Sequence, residues 1–183
     1  MGQFPDEEDL VRSLADKNTR RRAFADVVKQ YGEQLYWRIR RIVLNHEDAN
    51  DILQNVFVKA WNNIETFEGK SKLSTWLYSI AINESLDFLR KERNRQSAEV
   101  DDMEAVASRL LADDYFDGDR ASAMLQAAIA TLPDVQRMVF NMRYYDDMKY
   151  ADISAALGTS EGALKASYHL AVKKITEFFQ HND

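Results

Sequence analysis

The chain has no cysteine, only two prolines and only six glycines in 183 residues. Without cysteine there is no disulfide, no thiolate metal site and no thiol nucleophile. So little glycine and proline leaves few tight turns, which argues against a many-stranded sandwich or barrel and in favour of helices. No run of 18 apolar residues occurs, so no segment reads as a membrane span, and the acidic residues 1–9 have neither the basic start nor the apolar core of a signal peptide. The expectation is a cytoplasmic protein with no direct membrane insertion. His46, His169 and His181 are too scattered for a metal site. No carboxylate pair flanks a nucleophile and no phosphate-binding loop is present. Neither a metal, nor a cofactor, nor an enzymatic activity is expected.

What is present is enough apolar material for a core, 45% of the chain, with 30% charged residues. The net charge of −6 is unevenly spread. Residues 1–96 carry 15 acids and 16 bases, and residues 120–183 carry seven of each. Between them, residues 97–119 hold eight acids against the single base Arg109. The composition there turns acidic, small and weakly periodic, with a short helix admissible over 103–111, and the segment reads as a flexible linker. The expected class is therefore all-α: two small helical domains, 1–96 and 121–183, joined by an acidic linker over 97–120.

Apolar residues three and four apart place helices along the chain. A short one covers 6–15, with acids in its first turn. A long one covers 19–44, with Phe24, Val27, Val28, Tyr31, Leu35, Ile39 and Ile42 on one face and Asn45 ending it. A third covers 48–64. After a loop carrying Gly69, Ser74 is the expected N-cap of a fourth helix over 75–95, whose apolar positions are Trp76, Leu77, Ile80, Ala81, Leu86 and Leu89. In the second half, a helix over 121–131 is broken at Leu132 and Pro133, and Pro133 opens the next one. Residues 150–174 then read as helix, glycine turn, helix. Gly158 suits a left-handed terminus, and Ile153, Leu157, Leu164, Tyr168, Ala171 and Ile175 form the seam.

That last pattern is a helix-turn-helix. If it reads DNA, its second helix enters the major groove N-terminus first. The side away from the seam offers Ser160, Glu161, Lys165, Ser167, His169 and Lys173, with Lys165 suited to guanine and Glu161 to cytosine. The same residues also fit the solvated face of an ordinary helical hairpin. The domain is not basic, so it has few cations for phosphate and is expected to bind weakly unless tethered beside another DNA-binding surface.

The segments 48–61 (DANDILQNVFVKAW), 67–71 (FEGKS), 75–83 (TWLYSIAIN) and 87–90 (DFLR) resemble region 2 of the sigma-70 family. Those at 132–136 (LPDVQ), 150–158 (YADISAALG) and 162–167 (GALKAS) resemble its region 4. Region 3 has no counterpart, as in the small extracytoplasmic-function group. The resemblance implies a subunit that directs core RNA polymerase to promoters and helps melt the −10 region, with core polymerase and promoter DNA as partners and an anti-sigma factor as a further one. It implies core-polymerase binding by Asp48, Asp51, Gln54 and Phe57, the first three read as one helix face, although Asn50 and Asn55 stand where relatives often have acids. It implies −10 binding by Lys59, Phe67, Lys70, Lys72, Trp76, Tyr78 and Asn83, with Asn83 reading a flipped base, and −35 binding by the helix-turn-helix residues above. Cations with flat groups are what unstacked single strands require, and an amide suits the edge of an extruded base. Phe67 and Trp76 serve a core equally well. Ser79 stands where some relatives have arginine. The alternative is a stand-alone helix-turn-helix regulator, which would want a basic second domain and a dimerisation element.

Overall fold

The computed structural model describes residues 6–67, 69, 71–93 and 118–181, and every described element is helical. Most of the linker segment, its short helix at 103–111, and Lys70 lie outside the described residues. The chain divides into two compact units, Met1–Lys91 and Glu92–Asp183.

In the first unit, α1 (Glu7–Ala15), α2 (Arg20–Val43), α3 (His46–Asn63) and α4 (Leu73–Arg93) follow in order, with a 3-10 turn at Ile64–Thr66. Helix α2 packs against α1 and α3. Its stripe of Val27, Tyr31, Leu35, Ile39 and Ile42 is buried, as the spacing predicts, but Phe24 is only half-buried and Val28 is exposed. In α4 the buried stripe is Leu73, Leu77, Ala81 and Ser85, flanked by Tyr78 and Ile82. Trp76 and Ile80, expected in the core, sit at its half-buried edge.

Two helix starts differ from the sequence reading. Asn45 does not end α2; Leu44 does, in the left-handed conformation at φ 65°. Asn45 is instead the N-cap of α3, its side chain accepting from the Glu47 and Asp48 N–H groups at 2.8 and 3.2 Å, so α3 begins two residues early. Nor does Ser74 cap α4, which already begins at Leu73. The Leu73 N–H donates to a Glu7 carboxylate oxygen at 2.8 Å, and the other Glu7 oxygen accepts from the Tyr31 hydroxyl at 3.2 Å. A carboxylate of α1 thus occupies the electropositive end of α4, where both the free N–H groups and the macrodipole favour an anion. Burial, with the neighbouring Glu7 charge and hydrogen bond, pushes the Tyr31 phenol up to about 12.

The second unit holds α5 (Arg120–Ala130), α6 (Asp134–Tyr144), α7 (Tyr150–Leu157) and α8 (Glu161–His181). Helix α8 contacts the other three. Ala128, Ile129, Leu132, Phe140, Ala171, Ile175 and Phe178 form the core. Asp119 caps α5 by accepting from the Ser122 N–H at 2.8 Å, which holds its carboxyl below the ordinary range. The α5–α6 corner is closed by Arg137. Its buried guanidinium donates to the Ala130 and Leu132 carbonyls at 3.0 and 3.4 Å and pairs with Asp134 at 2.9 Å.

Tyr31 needs its proton to donate to Glu7, so the stability it lends is full below about pH 10 and is lost as pH rises towards about 12. Thermal unfolding of the wild type should therefore fall more steeply across that window than that of Tyr31→Phe; parallel profiles would show that Glu7 draws nothing from the phenol. Arg137→Ala strands the α5 carbonyls and Asp134 at once. Urea unfolding of the full chain, followed by circular dichroism, should show a loss of about 3 kcal/mol, the scale for breaking a buried charged pair.

Candidate nucleic-acid interface

Helix α4 carries the first candidate surface. A helix turns about 100° per residue, so Trp76, Ile80 and Asn83 share one stripe, away from the buried one. With Lys59 and Asn63 of α3, Thr66 of the 3-10 turn and Glu84, they line an open cleft of about 290 Å³. That is room for roughly ten water molecules. Phe67 is not part of this lining but packs against Trp76, its ring 5.0 Å away and tilted by 38°. Arg20 holds the 3-10 turn in place by pairing with Glu65, while its Nε donates to the Leu14 carbonyl at 2.8 Å. The Glu65 carboxyl is drawn below its ordinary range by that hydrogen bond.

The hydrogen-bonding groups of the cleft are unequally engaged. Lys59 forms an ion pair with Glu84, whose side chain is 13% exposed against 54% for Lys59. Asn63 donates to the Lys59 carbonyl, and Thr66 to the Asn63 carbonyl. Asn83 is exposed, and its amide has no hydrogen bond among the described residues. Lys72 is exposed just before α4, its carbonyl accepting from the Trp76 N–H at 3.1 Å.

Of the predicted −10 residues, Lys59, Trp76 and Asn83 meet at the cleft, with Phe67 against Trp76 and Lys72 beside the entry to α4. Tyr78 is not brought to it. It lies two residues from Trp76, about 200° around the helix, and is 5% exposed, with the Arg38 guanidinium 4.2 Å over its ring. Its place is in the packing of α4 on α2, away from the cleft.

The predicted polymerase-binding residues do not share one stripe of α3 either. Each three-residue step turns the helix back by about 60°, so Gln54 lies about 120° from Asp48. Asp51 and Gln54 are exposed, whereas Asp48 is half-buried in the first turn. Phe57 is about half a turn from Asp48 and packs edge-on against Phe24, ring centres 6.3 Å apart.

In the second unit the helix-turn-helix forms as the spacing predicts. Gly158 ends α7 in the left-handed region at φ 63°. Ile153, Leu164, Ala171 and Ile175 are buried in the seam, with Tyr168 half-buried against Phe140. Ser160 takes the N-cap position of α8, its hydroxyl accepting weakly from the Ala163 N–H at 3.4 Å. Glu161, Lys165, His169 and Lys173 are exposed along the outer face. Ser167 differs from these in its placement. It is half-buried on the flank nearer the seam, because two residues beyond Lys165 is about 200° of rotation. Gly162 and Ala166, which the sequence reading left aside, are exposed between the charged positions. Such small side chains let a helix backbone come close to base edges, and an alanine methyl suits a thymine methyl. Lys165 is paired with Glu161 at 3.7 Å and Lys173 with Glu177 at 3.7 Å.

Comparison with known proteins agrees with this layout. Residues 27–95 match the family Sigma-70 region 2, and residues 122–175 match Sigma-70, region 4. The chain is 33% identical over 156 residues to the ECF RNA polymerase sigma factor SigW of Bacillus subtilis (strain 168), covering 80% of this chain and 83% of that protein. Among solved structures, its fold is similar to CnrH in complex with the cytosolic domain of CnrY, with a TM-score of 0.70 and 22% identity over 97% of this chain and 99% of that one. It is also similar to the sigma factor RpoE of Bartonella quintana, in complex with the anti-sigma factor NepR, with a TM-score of 0.64 and 20% identity over 86% and 96% of the two chains.

Proposed function

The chain belongs to the sigma-70 family, in its extracytoplasmic-function group, and from that premise we propose how its residues divide the work of promoter recognition. As an alternative sigma factor it directs core RNA polymerase to specific promoters for transcription initiation. In the reading proposed here, residues 1–96 bind core polymerase and the −10 element, 97–120 form the connecting linker, and 121–183 bind the −35 element. The protein acts in the cytoplasm and has no catalytic chemistry of its own.

The −10 strand is received at the cleft beside α4. The observation that carries this is the pairing of an aromatic wall, Phe67 and Trp76, with an amide at Asn83 that has no other engagement among the described residues. An extruded base needs a flat surface for its ring and a polar group for its edge, and those residues offer both. Lys72 supplies charge for the adjoining phosphates, and Lys59 offsets the charge of Glu84 beside them. At the −35 element, the exposed side of α8 enters the major groove, with Lys165 and Glu161 towards the base edges. Asp51 and Gln54, exposed on α3, supply the polar part of the polymerase contact. An anti-sigma partner is part of this reading, because the Bartonella quintana RpoE is bound to the anti-sigma factor NepR. The alternative of a stand-alone regulator is disfavoured by the neutral second domain, in which Lys165 and Lys173 of α8 are already paired with glutamates.

Asn83→Ala should lower open-complex formation by about tenfold, at the lower end of what one good base contact is worth, while affinity for core polymerase stays within about twofold of the wild type by the same scale. Permanganate footprinting of the melted strand and a core-binding titration separate the two; equal losses in both would refute the base-reading role. Lys165→Ala should reduce transcription from a promoter with an intact −35 element by about fivefold and blunt the response to −35 variants. An unchanged ranking of those variants would remove Lys165 from base readout.

A further inference from the structure

Glu84 is the unexpected member of the cleft. A carboxylate on a surface that receives polyanionic DNA is unfavourable unless something offsets its charge, and here Lys59 does so directly. The pair is locally neutral, but it does not use the whole carboxylate. One oxygen, Oε1, faces the Lys59 ammonium. The other, Oε2, has no hydrogen-bond partner among the described residues, and the side chain lines the cleft next to Asn83. Glu84 is also the least exposed charged group there, so water competes with a bound base for this acceptor less than it would at an open surface.

We infer that Glu84 is a specificity-determining residue of the −10 site: its free carboxylate oxygen accepts from the exocyclic amine of the base held in the cleft, so that cytosine or adenine is admitted and thymine or guanine, each with a carbonyl at that place, is disfavoured. This rests on the reading of the cleft as the −10 site. The chemistry is acceptor-only, because an ionised carboxylate has no proton to donate. Cytosine presents its N4 amine and adenine its N6 amine, whereas thymine O4 and guanine O6 put a carbonyl in the corresponding place. Thymine or guanine would therefore set two acceptors against each other. Asn83, which can both donate and accept, imposes no such rule by itself. Lys59 has the positioning part: it fixes the carboxylate and neutralises it towards the phosphates.

The test is selection from a pool of single-stranded 12-residue deoxyoligonucleotides of random sequence by the full chain bound to core RNA polymerase, read by sequencing. With the wild type, one position should show cytosine and adenine enriched over thymine and guanine by about tenfold. The near-isosteric Glu84→Gln, whose amide can both donate and accept, should flatten that position to within about twofold on the same scale and leave the other positions unchanged. It should also raise total retention of the pool, because Lys59 is then free for phosphate. If Glu84→Gln keeps the wild-type profile while Asn83→Ala loses enrichment at one position, the specificity role of Glu84 is overturned and the cleft remains the −10 site. If neither variant alters the profile, both the inference and the cleft assignment fail. Lys59→Met separates fixing from charge: it should lower total retention and widen the base preference, and a retained preference would overturn its positioning part.

Discussion

Every α-helix leaves N–H groups free at one end and carbonyls at the other, and a chain with six glycines must satisfy many of them without glycine turns. This protein does so with charged side chains that reach across from neighbouring helices. Arg20 donates to the Leu14 carbonyl at the end of α1, and Arg137 to the Ala130 carbonyl at the end of α5. Glu7 accepts from the Leu73 N–H at the start of α4. Each contact satisfies an exposed helix end and at the same time fixes the angle at which two helices meet. Arg20 goes further, since it also pairs with Glu65 and so ties the 3-10 turn beside the cleft to the start of α2. The placement of the cleft is therefore a by-product of how helix ends are closed.

The Arg137 corner shows the cost of this solution. The guanidinium is 6% exposed and its Nε has no partner, so part of its desolvation is uncompensated and its charge is harder to keep than usual. Its gain is that one planar group closes the end of α5 and binds Asp134 in the first turn of α6, in a corner where Pro133 has already fixed the chain direction. The stack of Phe140 on Tyr168 is carried by the helix that this corner aims. A hydrophobic residue at 137 could pack as well but would leave the carbonyls unmet.

How far the sequence exposes this follows from which contacts are local. Helical periodicity locates the elements and the helix-turn-helix seam, because both depend on residues three and four apart, and Gly158 marks its turn because a left-handed residue is needed there. The capping of α4 by Glu7 spans 66 residues and leaves no local trace, so Ser74 looked like the cap. Asn45 was ambiguous for a different reason: a short amide serves a helix end and a helix start equally, and only the left-handed Leu44 decides between them. Tyr78 belongs by residue type with the single-strand-binding aromatics, yet its register turns it into the core. Asn83, singled out through family resemblance, lines the cleft. Glu84 drew no notice, since an acid on a proposed DNA surface runs against the simple charge rule until Lys59, 25 residues away, is seen beside it.

The same charge pairing bears on how strongly the protein can hold DNA unaided. The excess of acids is concentrated in residues 97–119, so the two folded parts are close to neutral. Within them, Lys59, Lys165 and Lys173 each face a glutamate. A cation already paired releases fewer counterions on meeting phosphate and so contributes less to sequence-independent affinity. In the proposed reading, what remains is recognition through edges and surfaces: an aromatic pair, an amide, an acceptor oxygen, and small residues on the exposed side of α8. Such contacts discriminate well but bind weakly by themselves. They gain effective concentration when one large partner carries both readers to the same duplex. Muted electrostatics and dependence on polymerase are two sides of one design, because a chain that does not cling to DNA at random leaves the choice of site to base contacts.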